Sequence, residues 1–283
     1  MQPPQRRKPA SEPAVGGGSF ASFVTRRRAG LGAIGVVVAA AIGAGLLWRQ
    51  FGDGLTWTRS NLLEPDRIDV RGVAPWVRAD LKTEALKAAS LDRGLPLTDP
   101  ELANRLARAF DTHPWVKRVV GVRLKHPPAA VVEVVCREPA AMVAVKGGLL
   151  AVDAESVVLP SADFTAEAAA GFPRLAGIDS SPLGPEGARW GDVVVEEGAA
   201  IAAVIGPEWK ALGLVECRPV VEAGERTWQL VGPESRTIRF GSAPGAERAG
   251  EPSAALKLAA LRALVGKPLP AEGVDLTVPH EPT

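Results

Sequence analysis

The stretch from His113 to Val143, HPWVKRVVGVRLKHPPAAVVEVVCREPAAMV, decides the fold. It contains two runs rich in valine, Val116–Leu124 and Ala129–Arg137, and enrichment in β-branched residues is typical of strands. Between them, Lys125–Pro128 ends in two prolines, which have no N–H to donate to a sheet and favour a turn. The stretch therefore predicts two consecutive strands joined by a turn.

The residues before this stretch predict one more strand and two helices. Ile68–Val70 alternates like a short strand, and Trp76–Ala89 carries apolar residues at helical spacing. Thr98 and Glu101 form a capping-box pattern, and Pro100 suits a first helical turn, so a second helix should start here. The order strand–helix–helix–strand–strand predicts a small α+β unit with helices on one face of a short sheet.

The residues after the stretch predict a second, mainly antiparallel β domain with flanking helices. Pro139 breaks the strand pattern and marks a junction, and a tight turn at Asp153–Ser156 predicts a hairpin. Further predicted elements are a helix over Glu196–Ile205, strands over Val215–Val221, Thr227–Val231 and Arg236–Phe240, a helix over Pro252–Val265 with Leu256, Ala260, Leu261 and Leu264 on its apolar face, and a last strand over Val274–Val278.

Near the N-terminus, Ala29–Trp48 is a run of 20 residues without a charge, an amide or a hydroxyl. As a helix it would be ~30 Å long, which matches the hydrocarbon core of a bilayer. Its glycines 30, 32 and 35 also fit the dinucleotide pattern G-x-G-x-x-G. However, no strand pattern precedes them and no polar face follows, as that fold requires. The run therefore predicts a transmembrane helix, with Trp48 at one interface.

Charges beside this run predict its orientation. The first 28 residues contain six Lys or Arg, among them Arg26, Arg27 and Arg28, against one acid, and this bias keeps an N-terminus cytoplasmic. A cleaved signal peptide is the alternative, but the apolar run is longer than the roughly 7–15 residues usual there. A retained anchor, with the remaining residues outside the cytoplasm, fits better.

Composition argues against several functional classes. With 33 basic and 32 acidic residues in all, the chain after the basic tail is mildly acidic, which argues against nucleic-acid binding. The cysteines Cys136 and Cys217 are better explained as buried strand residues than as a disulfide, although an exported protein could form one. The histidines 113, 126 and 280 have no metal-ligand spacing, and no nucleophile–base pattern stands out. We therefore expect no metal, cofactor or catalytic residues.

The stretch from His113 to Val143 resembles the FtsQ/DivIB cell-division proteins, in which two POTRA-domain strands run into an E-R-E-P-x-A-like junction. The junction here is CREPAA, with Arg137, Glu138 and Pro139 at its centre. The resemblance continues in Leu150–Asp153, in a Gly232 turn followed by IRFG at positions 238–241, and in VDL at positions 274–276. It covers roughly residues 26–278 and implies a cytoplasmic basic tail (1–28), a transmembrane helix (29–48), a linker (49–65), a POTRA domain (66–138) and a β domain (139–283).

The resemblance implies a non-enzymatic divisome scaffold in the cell inner membrane. Its periplasmic β domain would bind membrane-anchored FtsB/FtsL-like partners, its POTRA domain would help recruit it to the septum, and no nucleic acid or small-molecule substrate is expected. The partner would add to an exposed edge strand made of Val274, Asp275, Leu276, Thr277 and Val278. From the residues alone, a last paired strand without a binding role is the alternative.

Two features depart from the family, and two other functions stay open. Ser156 stands where the family usually has glycine, and Thr277 and Val278 replace an arginine and an aromatic residue of the edge. The main alternative function is a POTRA-containing secretion or outer-membrane assembly factor, although those proteins usually carry several POTRA copies and this chain has one predicted copy. A membrane-anchored periplasmic hydrolase is the third candidate and is disfavoured by the absence of a catalytic motif.

Overall fold

The computed structural model describes residues 40–44, 61–222 and 224–279. The chain divides into two units, residues 1–59 and 60–283, and residues 40–44 of the first are helical. Within the described ranges, no helix has the length and apolar character needed to cross a membrane. Apart from residues 40–44, the predicted span Ala29–Trp48 lies outside those ranges, as do the arginines 26–28 and Trp48.

The second unit is α+β and begins with a three-stranded sheet, which we call the first sheet. Its strands are β2 (Ile68–Arg71), β4 (Val116–Lys125) and β5 (Ala129–Cys136), and helices α1 (Leu81–Ala88) and α2 (Leu102–Asp111) lie between β2 and β4 in sequence. The strand order is β2-β5-β4, parallel for β2–β5 and antiparallel for β4–β5. A separate pair is formed by β1 (Leu62–Leu63) and β3 (Leu95–Pro96). The predicted order strand–helix–helix–strand–strand is confirmed.

Both helices begin later than the sequence predicts. Helix α1 starts at Leu81, not Trp76, because the Asp80 carboxylate accepts the backbone N–H of Thr83 at 3.1 Å and its hydroxyl at 2.7 Å. These bonds lower the pKa of Asp80. The prediction that Thr98 and Glu101 form a capping box at the start of α2 is wrong. Asp99, not Thr98, accepts the N–H of Glu101, at 2.9 Å, because a carboxylate is the stronger acceptor beside the positive end of a helix.

A seven-stranded sheet, the second sheet, follows with the order β12-β11-β10-β9-β8-β6-β7. Its strands are β6 (Pro139–Val145), β7 (Gly148–Asp153), β8 (Arg174–Leu175), β9 (Glu216–Glu222), β10 (Glu225–Val231), β11 (Thr237–Gly241) and β12 (Val274–Asp275). The pairs β6–β7, β9–β10 and β10–β11 are antiparallel, whereas β6–β8, β8–β9 and β11–β12 are parallel. The sheet is therefore mixed. Its long pairs are antiparallel, as predicted, and its parallel pairs all involve the two-residue strands β8 and β12, which are reached by long crossovers.

Pro139 starts a strand instead of ending the sheet pattern. It is the first residue of β6, a position where a missing N–H is tolerated. Strand β7 pairs with β6 on one side, and on its other side the predicted hairpin around Asp153–Ser156 forms over a few residues only. An isolated antiparallel bridge joins Val152 and Val158, with backbone hydrogen bonds from Asp153 to Val157 and from Leu159 to Ala151, at 3.1 and 2.8 Å.

Helices α4 (Val193–Trp209) and α5 (Ala254–Leu264) pack on one face of the second sheet, and a short helix α3 (Ala166–Ala169) precedes β8. The predicted apolar face of α5 is partly wrong, since Leu256 is 63% exposed while Lys257 is buried. On the opposite side, Met142, Ala151 and Leu159 belong to the same apolar core as the first sheet. The two sheets thus share a core across the predicted boundary at residue 138.

Candidate partner-binding edge

Strand β12 forms one edge of the second sheet, the position that a partner-binding strand needs. It pairs in parallel with β11 through Ile238 with Val274 and Arg239 with Asp275. Within the described residues, no other strand lies on its outer side. An edge of this kind presents N–H and C=O groups onto which another extended chain can add.

The edge is shorter than predicted. Only Val274 and Asp275 are strand residues, and the next backbone bond runs from the Leu276 N–H to the Arg239 carbonyl, at 2.9 Å. The Leu276 side chain is buried in the core, whereas Val278 is exposed. Thr277 bends back, because its N–H and hydroxyl donate to the Asp275 carboxylate at 2.8 and 2.6 Å. The five predicted residues are therefore contiguous, but their side chains divide between the core, the edge and solvent.

Charged groups surround the edge on the sheet face opposite α4 and α5. Arg239, on β11, pairs with Asp275 of β12 at 3.4 Å and with Glu222 of β9. These ion pairs link β11 to β12 on one side and, across β10, to β9 on the other. Burial works against ionisation of Asp275, but the Thr277 hydrogen bonds and the Arg239 charge lower its pKa overall. Asp275 is therefore a carboxylate at neutral pH, and it holds the turn that ends the strand.

The predicted junction residues link the two sheets. The Arg137 N–H donates to the Trp115 carbonyl at 2.8 Å, and its own carbonyl accepts the Trp76 indole at 2.9 Å. Its guanidinium donates to Asp153 at 2.8 Å. Glu138 is exposed, and Pro139 pairs with Asp153 in the β6–β7 ladder. Arg137 thus contacts both sheets, and Glu138 contributes no contact comparable to these.

Glu197, which the sequence placed at a helix start, instead joins α4 to β10. Asp192 caps the helix by accepting the Val194 N–H at 2.8 Å. The Glu197 carboxylate accepts two bonds from the Arg226 guanidinium, both 2.8 Å, and one from the Trp228 indole at 3.1 Å. The Arg226 bonds are the main reason that its pKa is lowered. A carboxylate held in this way is a packing element between helix and sheet.

The histidines and cysteines take structural positions where the structure describes them. His113 is buried, with its ring 3.2 Å from Glu84 and 3.2 Å from the Trp115 N–H. Cys136 in β5 and Cys217 in β9 are free thiols that form no disulfide, and burial raises the pKa of both. Over the described ranges, no three His, Cys, Asp or Glu side chains are grouped to hold a metal.

Sequence reasoning missed a buried ion pair near the edge, formed by Glu251 and Lys257. One signal could have revealed it. Lys257 lies four residues before Leu261 and therefore on the same helical face, which is the face that packs against the core. Glu251 lies in a loop, where periodicity carries no information.

A scan against models of protein families finds no match to this chain, and neither does a search of curated proteins.

Proposed function

We propose that this chain is a non-enzymatic scaffold of the divisome, of the FtsQ/DivIB type. It is anchored in the cell inner membrane by residues 29–48, with the N-terminus in the cytoplasm and the remaining residues in the periplasm. Its β domain binds membrane-anchored FtsB/FtsL-like proteins, and its POTRA domain, residues 66–138, helps recruit it to the septum.

One observation carries the proposal: the Val-Asp-Leu segment at 274–276 lies at the edge of the second sheet. In the resemblance this segment marks the partner-binding strand, and an edge position is what strand addition needs. Backbone pairing tolerates sequence differences, so Thr277 and Val278 can replace the family's arginine and aromatic residue without loss of the binding mode. They change which side chains the partner meets.

The order of elements in the first sheet supports the same proposal. A strand, two helices and two strands, with helices of 8 and 10 residues, agree with the POTRA unit that the resemblance implies. This unit also occurs in secretion and outer-membrane assembly factors, so it does not by itself separate the two functions. The edge at 274–276 belongs to the second sheet and favours the scaffold.

Depletion of the protein separates the two functions. Filamentous cells with unfinished septa are expected for a divisome scaffold. Normal septation together with a loss of outer-membrane proteins would instead identify an assembly factor and refute the proposal.

A pair of proline variants tests the edge itself. Val278→Pro alters the chain at the end of the edge while leaving the buried Leu276 in place. Val193→Pro is the matched control, because Val193 is as exposed, 54% against 53%, and begins α4, where proline is tolerated. We expect Val278→Pro to abolish co-purification of FtsB/FtsL-type proteins with the full chain and Val193→Pro to preserve it. Equal recovery with both variants would exclude this edge as the binding site.

A further inference from the structure

The outer end of the edge is in contact with a buried carboxylate. Gly241 ends β11 with φ +86°, and a Cβ built there would lie 2.2 Å from Glu251 Oε1 and 2.6 Å from Thr277 Cγ2. No side chain fits at this position, so the Gly241 backbone, the Glu251 carboxylate and the Thr277 methyl pack directly against one another. A displacement of the Glu251 carboxylate is therefore transmitted to Thr277 through Gly241 alone.

Four donors hold this carboxylate. Glu251 accepts the Ser242 N–H and hydroxyl, both at 2.7 Å, the Arg248 N–H at 3.0 Å and the Lys257 ammonium at 2.6 Å. Its side chain is only 5% exposed. Two of the donors belong to the residue directly after β11, so Glu251 fixes the chain where the strand ends.

Lys257 connects this carboxylate to helix α5. Its side chain is fully buried, and besides Glu251 its ammonium donates to the Ser242 carbonyl at 3.3 Å. The ammonium also lies 4.7 Å from the centroid of the Phe240 ring, within reach of a cation–π interaction. Helix, loop and the end of β11 are thereby held in one arrangement.

A buried ion pair of this kind is a poor source of stability. Two apolar side chains of similar size stabilise a core about as well, because desolvation of the charges offsets their attraction. The pair instead fixes the relative positions of the groups that it joins, since all of its hydrogen bonds are satisfied in one geometry only. Because the pair lies against Gly241, where β11 ends, the arrangement that it fixes includes the end of the edge.

We infer that Glu251 and Lys257 are positioning residues that hold Gly241 and Thr277 in place and thereby fix the end of the edge on which a partner strand adds. The identity of the partner rests on the proposed function, whereas the positioning of Gly241 and Thr277 does not depend on it. Both side chains are buried and so are not on the surface that a partner would contact. The pair acts through the Gly241–Thr277 contact, so its loss changes the order of the edge more than the stability of the fold.

The test compares variants of the full chain. Glu251→Gln/Lys257→Met removes both charges and keeps both side-chain lengths. Arg262→Met/Glu208→Gln is the control, because this 2.8 Å ion pair also ties α5 to another element, but its acidic partner is on α4 and not in the loop that contacts Gly241. Glu251→Asp is a milder variant that keeps the charge and withdraws the carboxylate from Gly241 by one methylene.

Amide hydrogen exchange reports on positioning without a partner. In the double variant we expect the Leu276 and Thr277 amides to exchange about tenfold faster, and those of β5 to be unchanged. Glu251→Asp should change them in the same direction, and the control should leave all of them unchanged. Unaltered exchange at Leu276 and Thr277 in both Glu251 variants would overturn the inference, and so would equal acceleration throughout the fold.

Partner binding supplies the second measurement. Affinity for co-expressed FtsB/FtsL-type proteins should fall about tenfold in the double variant and stay unchanged in the control. Faster exchange with undiminished affinity would show that this positioning does not serve binding and would overturn the inference. If the wild-type chain captures no such protein, the proposed function fails, and the exchange comparison still decides whether the pair positions the edge.

Discussion

Arg137 and Asp153 form an ion pair, with 2.8 Å between Nη1 and Oδ2, where the two sheets of the second unit meet. The Asp153 side chain is 4% exposed and that of Arg137 is 17% exposed. Asp153 also accepts the N–H groups of Glu155 and Val157, at 2.9 and 2.8 Å. One carboxylate therefore shapes the turn after β7 and attaches that turn to the residue that follows β5.

Asp153→Ala should destabilise the protein by about 3 kcal/mol, because it leaves two backbone donors unpaired and a largely buried guanidinium with only its longer ion pair to Glu155, at 3.7 Å. Urea unfolding of the full chain measures the change. Asp69→Ala is the control, since its pair with Arg71 is more than half exposed on both sides and should contribute at most about 1 kcal/mol. Similar losses in the two variants would contradict the role given to Asp153.

Ser156→Gly should stabilise the protein by about 1 kcal/mol. Ser156 has φ +60°, a conformation that costs a side-chain-bearing residue roughly 1–2 kcal/mol. Its buried hydroxyl also lacks a hydrogen-bond partner among the described residues. Thermal unfolding measures the gain. Ser156→Ala removes only the hydroxyl and should gain less, so a larger gain from alanine than from glycine would refute the explanation by backbone conformation.

Gly241→Ala should destabilise by about 2 kcal/mol or more, since its new methyl group would overlap Glu251 and Thr277 as well as strain the backbone. Gly245→Ala separates the two causes. Gly245 has nearly the same φ, +82°, but nothing lies within 4 Å of its Cβ position, so only backbone strain of about 1 kcal/mol remains. Denaturant unfolding of both variants measures the difference, and equal losses would mean that the contacts at Gly241 are unimportant.

Acid should destabilise the protein through Glu251, because protonation of its carboxylate leaves the buried Lys257 ammonium without its anionic partner, whereas replacement of both side chains does not. Burial opposes its ionisation, but the hydrogen bonds from Arg248, Lys257 and Ser242 prevail and lower its pKa from 4.5 to about 2. A group with a lowered folded-state pKa contributes fully above its unfolded value, and the contribution disappears as pH falls from 4.5 towards 2. At 1.4 kcal/mol per pKa unit the loss is about 3 kcal/mol.

Urea unfolding between pH 7 and pH 2 measures this loss. The Glu251→Gln/Lys257→Met variant should lose less stability over the interval than the wild type does, because it lacks the titrating carboxylate. Parallel curves for the two proteins would show that Glu251 does not carry the effect.

The sequence predicts those parts of the fold whose signals are local. The strands β4 and β5 and the turn between them follow from a valine-rich pattern interrupted by two prolines, and the structure places them within one residue of the prediction. Strand β2 was found in the same way. Strands β4 and β5 are also neighbours in sequence and pair with each other, so the local pattern and the contact coincide there.

Features that depend on distant contacts were predicted less well. The parallel pairing of β8 with β6, and that of β12 with β11, depends on where long crossovers return the chain. Alternation within two residues cannot show this. The extent of the edge was overestimated because Thr277 bonds back to Asp275 instead of continuing the strand. The burial of Lys257 was missed although its spacing to Leu261 indicates it, and its carboxylate partner Glu251 lies six positions away in a loop, where periodicity carries no information.

The core shared by the two sheets restricts how this protein can be divided or recombined. Met142, Ala151 and Leu159 follow residue 138 in sequence, yet they complete the packing of the first sheet. A fragment that stops at residue 138 would therefore expose apolar surface that these side chains normally cover. Exchange of either half between related chains would require compatible side chains at all three positions, so the two halves are constrained to evolve together.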